Sequence, residues 1–128
     1  MKPNPIIWFE IYVQDMSRAQ KFYETLLGCK LEALTPPDGS AEHLQMMAFP
    51  MEMNALGAGG ALVKMEGVPS GPGGTLVYFS CEVCAVEEAR ATEAGGSVFM
   101  PKFSIGAYGF CSLLIDSEGN RIGLHSQR

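Results

Sequence analysis

Two residues at opposite ends of this chain have the clearest potential for acid–base chemistry. Glu10 is the only acid in the apolar and aromatic segment Ile6–Gln14, and His125 lies in the closing segment Arg121–Ser126. Burial in an apolar cavity favours a protonated carboxyl group, and a neutral imidazole nearby would complete an acid–base pair. Two ordinary alternatives remain open: Glu10 could pair with an Arg, Tyr or Lys or lie at a wet cavity mouth, and His125 could be a solvated strand end.

Aromatic side chains close to these residues are candidate ligand contacts. Trp8 and Tyr12 alternate with Glu10 on one face of the predicted first strand. Tyr78 and Tyr108 add phenolic donors, although tyrosines in sheets are more often packing residues. Of these tyrosines, Tyr108 is the one most expected to face a cavity. Five methionines could line an apolar pocket or fill a core equally well: Met46, Met47, Met51, Met53 and Met65.

Three other patterns are weak signals for chemistry. Cys81-Glu82-Val83-Cys84 is a lone C-x-x-C, because Cys29 and Cys111 are isolated, and a strand–helix junction separates its two side chains. The run Gly57–Gly60 precedes a strand and lacks a following Lys-Ser/Thr, so it predicts a turn and not a phosphate loop. A displaced metal site would need four scattered residues that no spacing links: Glu10, His43, Glu52 and His125.

The elements that must position these residues form two similar runs. The first predicts a strand, a helix and three strands: Ile6–Gln14, Met16–Leu27, Cys29–Thr35, Glu42–Phe49 and Ala61–Met65, with a turn at Pro36–Gly39. Asp15 is the expected N-cap of this helix and Gly28 its stop. The core face of the helix is predicted to carry Met16, Ala19, Phe22, Tyr23 and Leu26. The second run predicts strand Thr75–Cys81, then helix Glu82–Ala94 with one inward face, and then three strands, Ser97–Phe103, Tyr108–Ile115 and Arg121–Ser126. The inward face of this helix is predicted to carry Val83, Val86, Ala89 and Ala94.

The repeat predicts an α+β fold of two βαβββ modules within a single domain, residues 1–128. The modules are residues 5–66 and 75–127, and the Gly- and Pro-rich segment 66–74 joins them. Neither half is long enough to form a stable hydrophobic core by itself. We expect curved mixed sheets around a concave cavity, with the helices on the convex faces.

The closing hairpin is the best-defined local prediction. Asp116 can accept a hydrogen bond from the backbone two residues on, and Gly119 or Asn120 can take a positive φ. The strand after this turn should place Arg121, Gly123 and His125 on one face. Its other face, with Ile122 and Leu124, is apolar.

Composition and charge argue against some classes of protein, among them nucleic-acid-binding and membrane-spanning proteins. The chain has 128 residues and a formal net charge of −5, with no cluster of Lys or Arg, which argues against nucleic-acid binding. No apolar run approaches the ~18 residues of a membrane helix, and no signal peptide is visible. Four cysteines without framework spacing predict reduced thiols and a cytoplasmic location.

Three segments resemble the vicinal oxygen chelate superfamily of glyoxalases, bleomycin resistance proteins and extradiol dioxygenases: WFEIYVQDMSRAQKFYETLLG, GGALVKMEGVPSGPGGTLVYFSC and YGFCSLLIDSEGNRIGLHS. The resemblance spans essentially the whole chain, and the ending is similar to a bacterial glyoxalase-like subgroup. It implies paired βαβββ modules, a homodimer, and a divalent metal held from the first and last strand of each module.

The four implied metal positions carry no donor here. They fall on Trp8, within Gly60–Leu62, on Leu76 or Val77, and on Gly123. A metal site needs about three or four N, O or S ligands. We therefore expect no metal and no other cofactor.

The favoured function is binding of a small apolar or aromatic molecule in the concave cavity, as the resemblance to bleomycin resistance proteins implies. The alternative is a lyase or isomerase acting next to a carbonyl, with Glu10 and His125 as acid and base or with a noncanonical metal. A weaker alternative is a structural or partner-binding module. The predicted ligand-binding residues are Trp8, Tyr12, Leu76, Tyr78, Tyr108, Phe110 and Gly123.

Overall fold

The computed structural model describes residues 3–35 and 43–128, and within them the βαβββ pattern occurs twice. The elements are β1 (Ile6–Tyr12), α1 (Met16–Leu27), β2 (Glu32–Leu34), β3 (Leu44–Ala48), β4 (Gly59–Met65), β5 (Thr75–Ser80), α2 (Cys84–Arg90), β6 (Ser97–Ser104), β7 (Phe110–Ile115) and β8 (Arg121–Ser126). The α+β class with mixed strand pairing is confirmed. The turn predicted at Pro36–Gly39 lies outside the described residues.

The chain divides into two compact units. The first unit is Trp8–Thr75, and the second is Leu76–Arg128 together with the residues before Trp8. In the first unit the strand order is β2-β3-β4-β1, and in the second it is β5-β8-β7-β6. In each unit the first and last strands of the βαβββ run pair in parallel, and the other pairs are antiparallel.

Helix α1 begins and ends where the sequence predicts. The Asp15 carboxylate accepts the Arg18 backbone N–H at 3.0 Å, and Gly28 takes a left-handed φ of 64° at the other end. The helix packs on a cluster of Val13, Met16, Leu31 and Leu62. Because Ile11 and Val13 belong to this side of β1, the predicted alternation of that strand is confirmed.

The predicted phase of α1 is wrong at two positions. Phe22 and Leu26 are 57% and 63% exposed, whereas Ala19 and Tyr23 pack against the core. Residue 22 lies about 100° around the helix from residue 23, so the two side chains do not both point straight at the core. Tyr23 points toward the core, where its ring packs edge-on against the Phe49 ring with the two ring centroids 5.6 Å apart.

Helix α2 is shorter than predicted, and its start is held by a distant residue. No side chain at Val83 caps it. Instead the buried Ser126 hydroxyl accepts the Cys84 backbone N–H at 2.9 Å and donates to the Arg128 carbonyl at 2.8 Å. The inward placement predicted for Val86 is also wrong, because this side chain is half exposed. The core of the unit is formed by Cys84, Ala91, Leu114 and Leu124.

A carboxylate of α2 reinforces the irregular strand β6. The β6–β7 register shifts on both sides of Met100, next to Pro101. Glu88 Oε1 accepts the backbone N–H of Lys102 and the hydroxyl of Ser112. The Lys102 backbone N–H, which lies next to these register shifts, is thus hydrogen-bonded to a side chain of α2.

The closing hairpin has the predicted turn. Asp116 Oδ1 accepts the backbone N–H groups of Glu118 and Asn120, both at 2.8 Å, and Gly119 has a φ of 85°. The hydrogen bonds from the Asn120 backbone, the Asn120 side chain and the Glu118 backbone hold the pKa of the Asp116 carboxyl below its usual value. The predicted bounds of β8, Arg121–Ser126, are confirmed.

An aromatic ring of β5 lies directly over a glycine of β8. Tyr78 and Gly123 are register partners in this parallel pair, and a Cβ atom at residue 123 would overlap the Tyr78 ring. Any side chain at this position must displace the ring.

We predict that Gly123→Ala lowers the free energy of unfolding by about 1–3 kcal/mol, because overpacking forces the ring to move. Tyr78→Ala creates the missing space, so adding Gly123→Ala in that background should cost much less. Urea unfolding of the single and double variants measures the coupling. An equal cost in both backgrounds would show that the ring is not what excludes a side chain.

Candidate functional site

The first candidate site is the side of β1 that faces away from α1. Glu10 is buried here, 9% exposed, between Trp8 and the buried Tyr12. The Tyr12 hydroxyl donates to Glu10 Oε1 at 2.8 Å, and the Trp8 indole N–H donates to Oε2 at 3.2 Å. Both oxygens of the carboxylate are therefore held by aromatic donors two residues away on the same strand.

Small residues on the neighbouring strand leave room for these side chains. Trp8 is the register partner of Gly59, Glu10 of Ala61 and Tyr12 of Val63. A Cβ at Gly59 would lie 3.4 Å from the Trp8 ring and 2.7 Å from the Met51 sulfur. Sequence reasoning found Trp8, Glu10 and Tyr12 from their alternation. It missed Gly59 and Ala61, whose small size is the signal that could have found them.

The second unit has a corresponding face. The register of β5 with β8 pairs Tyr78 with Gly123 and Ser80 with His125, so these four residues share a side of the sheet. Leu76 is 2% exposed at the start of β5. The His125 ring is partly exposed, and its Nε2 lies 2.7 Å from the backbone carbonyl oxygen of Tyr108.

Two other predicted contacts occupy different surroundings. Phe110 packs against the cluster beneath α2, and the Lys102 ammonium lies 4.7 Å from its ring centroid. Tyr108 is not part of β7, because that strand begins at Phe110; it ends a 3₁₀ turn, Gly106–Tyr108, with its side chain 56% exposed. Tyr108 contributes its backbone carbonyl, which contacts His125, and the identity of its side chain does not predict this contact.

The residues at the implied metal positions do not fit a metal. The register places Gly59 beside Trp8 and Gly123 beside Tyr78, so these partners differ from the predicted Gly60–Leu62 and Leu76 or Val77. Neither the predicted positions nor these partners carry a carboxylate, an imidazole or a thiolate, the usual ligands of a divalent metal. Within residues 3–35 and 43–128, no three or more His, Cys, Asp or Glu side chains come together, so the displaced site is not assembled there.

The C-x-x-C pair lies in surroundings unsuited to a reactive thiol. Burial first, and then the nearby Glu87 and Cys84, raise the pKa of the Cys81 thiol to about 11. Cys84 is fully buried. Since the thiolate is the nucleophile, a protonated Cys81 at neutral pH is a poor one.

An open depression of about 770 Å³ lies elsewhere in the first unit. Its walls come from the ends of β2, β3 and β4 and include Leu34, His43, Met46, Met47 and Met65. Trp8, Glu10 and Tyr12 do not line it. Three of the five methionines thus contribute to this depression, while Met53 is fully exposed.

Across the part of the chain that the structure describes, no helix has the length and apolar character needed to cross a membrane.

The sequence matches known proteins over most of its length. Residues 6–40 match the family model described as bleomycin resistance protein-like, N-terminal. A curated Mycobacterium bovis protein named as a putative glyoxylase, CFP32, is 28% identical over 118 residues. That match covers 91% of this chain but only 43% of the relative, so the chain spans less than half of the curated protein's length.

The fold matches solved structures over nearly the whole chain. The hypothetical protein BH1468 from Bacillus halodurans superimposes with a TM-score of 0.70 at 12% identity, covering 99% of this chain and 96% of that one. Methylmalonyl-CoA epimerase from Mycobacterium tuberculosis gives 0.66 at 14% identity, covering 97% and 88%. A single-residue variant of the Streptomyces coelicolor epimerase, in complex with 2-nitronate-propionyl-CoA, gives 0.65 at 13% identity, covering 96% of both chains.

The repeated βαβββ unit, the bleomycin-resistance-like match at the N-terminus, the glyoxylase relative and the epimerase folds all indicate the vicinal oxygen chelate superfamily.

Proposed function

We propose that this protein binds a small apolar or aromatic molecule, without a metal, on the face of β1 that carries Trp8, Glu10 and Tyr12. The observation that carries the proposal is the buried Glu10 carboxylate with both oxygens held by aromatic donors. A polar group fixed among rings can orient a ligand, while the rings supply apolar contact area.

Binding is favoured over metal chemistry by what stands at the family's ligand positions. Trp8 and Tyr78 are large rings, and their partners Gly59 and Gly123 have no side chain. The rings can contact an apolar ligand, and none of the four residues is a carboxylate, an imidazole or a thiolate, the usual ligands of a divalent cation.

Trp8 is the only tryptophan of the chain and therefore an internal reporter for this face. We predict that titration with 2-naphthol quenches or shifts its fluorescence with saturation. Glu10→Gln should weaken this binding about tenfold, equivalent to about 1.4 kcal/mol, because an amide replaces the charged acceptor at nearly constant shape.

The matched control for this titration is Glu88→Gln, which changes a carboxylate bound to backbone and Ser112 in the second unit. It should leave the binding curve unchanged. Thermal shift provides a readout that does not depend on Trp8. The proposal fails if a panel of aromatic compounds neither changes the emission nor stabilises the protein.

A second candidate function is isomerisation or lyase chemistry next to a carbonyl, and the epimerase folds favour it. A carbon next to a carbonyl inverts when a base removes its proton and the proton returns on the opposite face. In this proposal Glu10 is the base and solvent supplies the proton that returns, so the atoms balance without any further reactant.

For the second candidate we predict that methylmalonyl-CoA incubated with the protein in D₂O gains one deuterium next to the thioester. Mass spectrometry detects the exchange. Glu10→Gln should reduce its rate by at least about a hundredfold, the lower end for losing a general base, with little change in stability. No exchange above the protein-free rate would exclude this substrate class while leaving the binding proposal intact.

The assembly and location of the protein are further parts of the proposal. Phe22, Leu26 and Leu27 expose apolar surface on α1, which supports a homodimer. Sedimentation velocity should then give a species of twice 13.8 kDa, and a monomer at all concentrations would contradict it. All four cysteines are without disulfides, which supports a cytoplasmic location.

A further inference from the structure

His125 is anchored by a backbone carbonyl at one ring nitrogen. Its Nε2 lies 2.7 Å from the Tyr108 carbonyl oxygen. A carbonyl oxygen only accepts hydrogen bonds, so Nε2 must carry the proton. In a neutral imidazole the lone pair then belongs to Nδ1, which is the acceptor and the base.

The carbonyl that sets this tautomer is itself held in place. It belongs to the 3₁₀ turn Gly106–Tyr108, in which Gly109 N–H donates to the Gly106 carbonyl at 3.2 Å. Ile105 N–H donates to the Gly109 carbonyl at 2.9 Å, and the Ser104 hydroxyl accepts the Gly106 N–H at 3.1 Å. Hydrogen bonds on both sides of Tyr108 therefore fix the direction of its carbonyl.

The turn depends on a glycine that lies against the end of β8. Gly109 has a φ of 107°, which side chains rarely permit. A Cβ there would also overlap the Ser126 carbonyl oxygen and lie 3.0 Å from the Gln127 Cα. Gly109 thus lets the turn approach β8 closely enough for Tyr108 to meet His125.

His125 shares its side of the sheet with the Tyr78 ring over Gly123. Its register partners on either side are Ser80 and Cys111. Because Gly123 has no side chain, the Tyr78 ring covers the neighbouring position toward the start of β8. The face therefore combines an aromatic surface with one imidazole.

We propose that the Tyr108 carbonyl and Gly109 hold His125 as a single tautomer whose Nδ1 accepts a hydrogen bond or a proton from the ligand. Tyr108 and Gly109 are positioning residues, and His125 is the residue that touches the ligand. The ligand class is an aromatic or carbonyl compound with an O–H donor or an acidic C–H. The inference concerns the face of the second unit that carries Tyr78, Gly123 and His125, and it goes beyond the proposed function without resting on it.

The tautomer can be measured by long-range ¹H–¹⁵N NMR of the imidazole nitrogens at about pH 8.5, where imidazole is neutral. The chain has two histidines, and His43→Gln assigns the signals. We expect His125 to show the Nε2–H form alone. An Nδ1–H form, or a mixture of tautomers, in the wild-type protein would overturn the inference.

Gly109→Ala should release the carbonyl and convert His125 to a mixture of tautomers. Gly119→Ala is the matched control, since Gly119 also has a positive φ, 85°, but nothing lies within 4 Å of an added Cβ. It should strain its own turn and leave the His125 tautomer unchanged. If Gly109→Ala fails to fold, the wild-type spectrum alone decides. If both folded variants keep the Nε2–H form, Gly109 is not a positioning residue.

The ligand contact is tested with phenol and anisole, which differ in one O–H donor. Phenol should shift the His125 Nδ1 resonance, and anisole should not. If phenol changes Trp8 emission but leaves Nδ1 unmoved, the proposed function stands and this inference fails. If neither probe moves the Nδ1 resonance, this inference fails whether or not Trp8 emission changes.

Discussion

The structure depends on the close packing of an aromatic ring from one strand over a glycine of its parallel neighbour. In the second unit Tyr78 covers Gly123, and in the first unit Trp8 lies against Gly59 and Phe9 against Gly60. Protein interiors are so densely packed that one added carbon atom in such a contact displaces the neighbouring ring or backbone. One of the positions implied for metal donors, Trp8, is thus a ring, and another, Gly123, lies under the ring of Tyr78.

Two polar groups on these faces, Glu10 and His125, are each held by a partner. Glu10 is satisfied by Trp8 and Tyr12 from the same strand, and His125 by a carbonyl 17 residues away. A buried polar group without a partner costs about 1–3 kcal/mol. The same contacts that avoid this cost also fix the direction of each acceptor, which is what orientation of a ligand requires.

The sequence was most informative where the determinants are local. Asp15 and Gly28 set the ends of α1, and Asp116 with Gly119 sets the final turn, because each contact spans only a few residues. The alternation of Trp8, Glu10 and Tyr12 followed from the period of a strand. Their pairing with one another was an alternative that the sequence alone left open.

The errors arise from contacts that are distant along the chain. The start of α2 is set by Ser126, 42 residues away, so no local signal marks Cys84 as its first residue. The phase of α1 was decided by Phe49 packing on Tyr23, which a helical wheel does not contain. The role of Tyr108 lies in its backbone carbonyl, and side-chain chemistry cannot predict that.

The central proposal is that a ligand binds without a metal, because the positions implied for metal donors carry no carboxylate, imidazole or thiolate. The most direct measurement is calorimetric titration of 2-naphthol into protein treated with EDTA, repeated after adding Zn²⁺, Mn²⁺ or Mg²⁺. The account predicts the same affinity in every case. Binding that appears only with a stoichiometric metal, and is lost in Glu10→Ala, would contradict it.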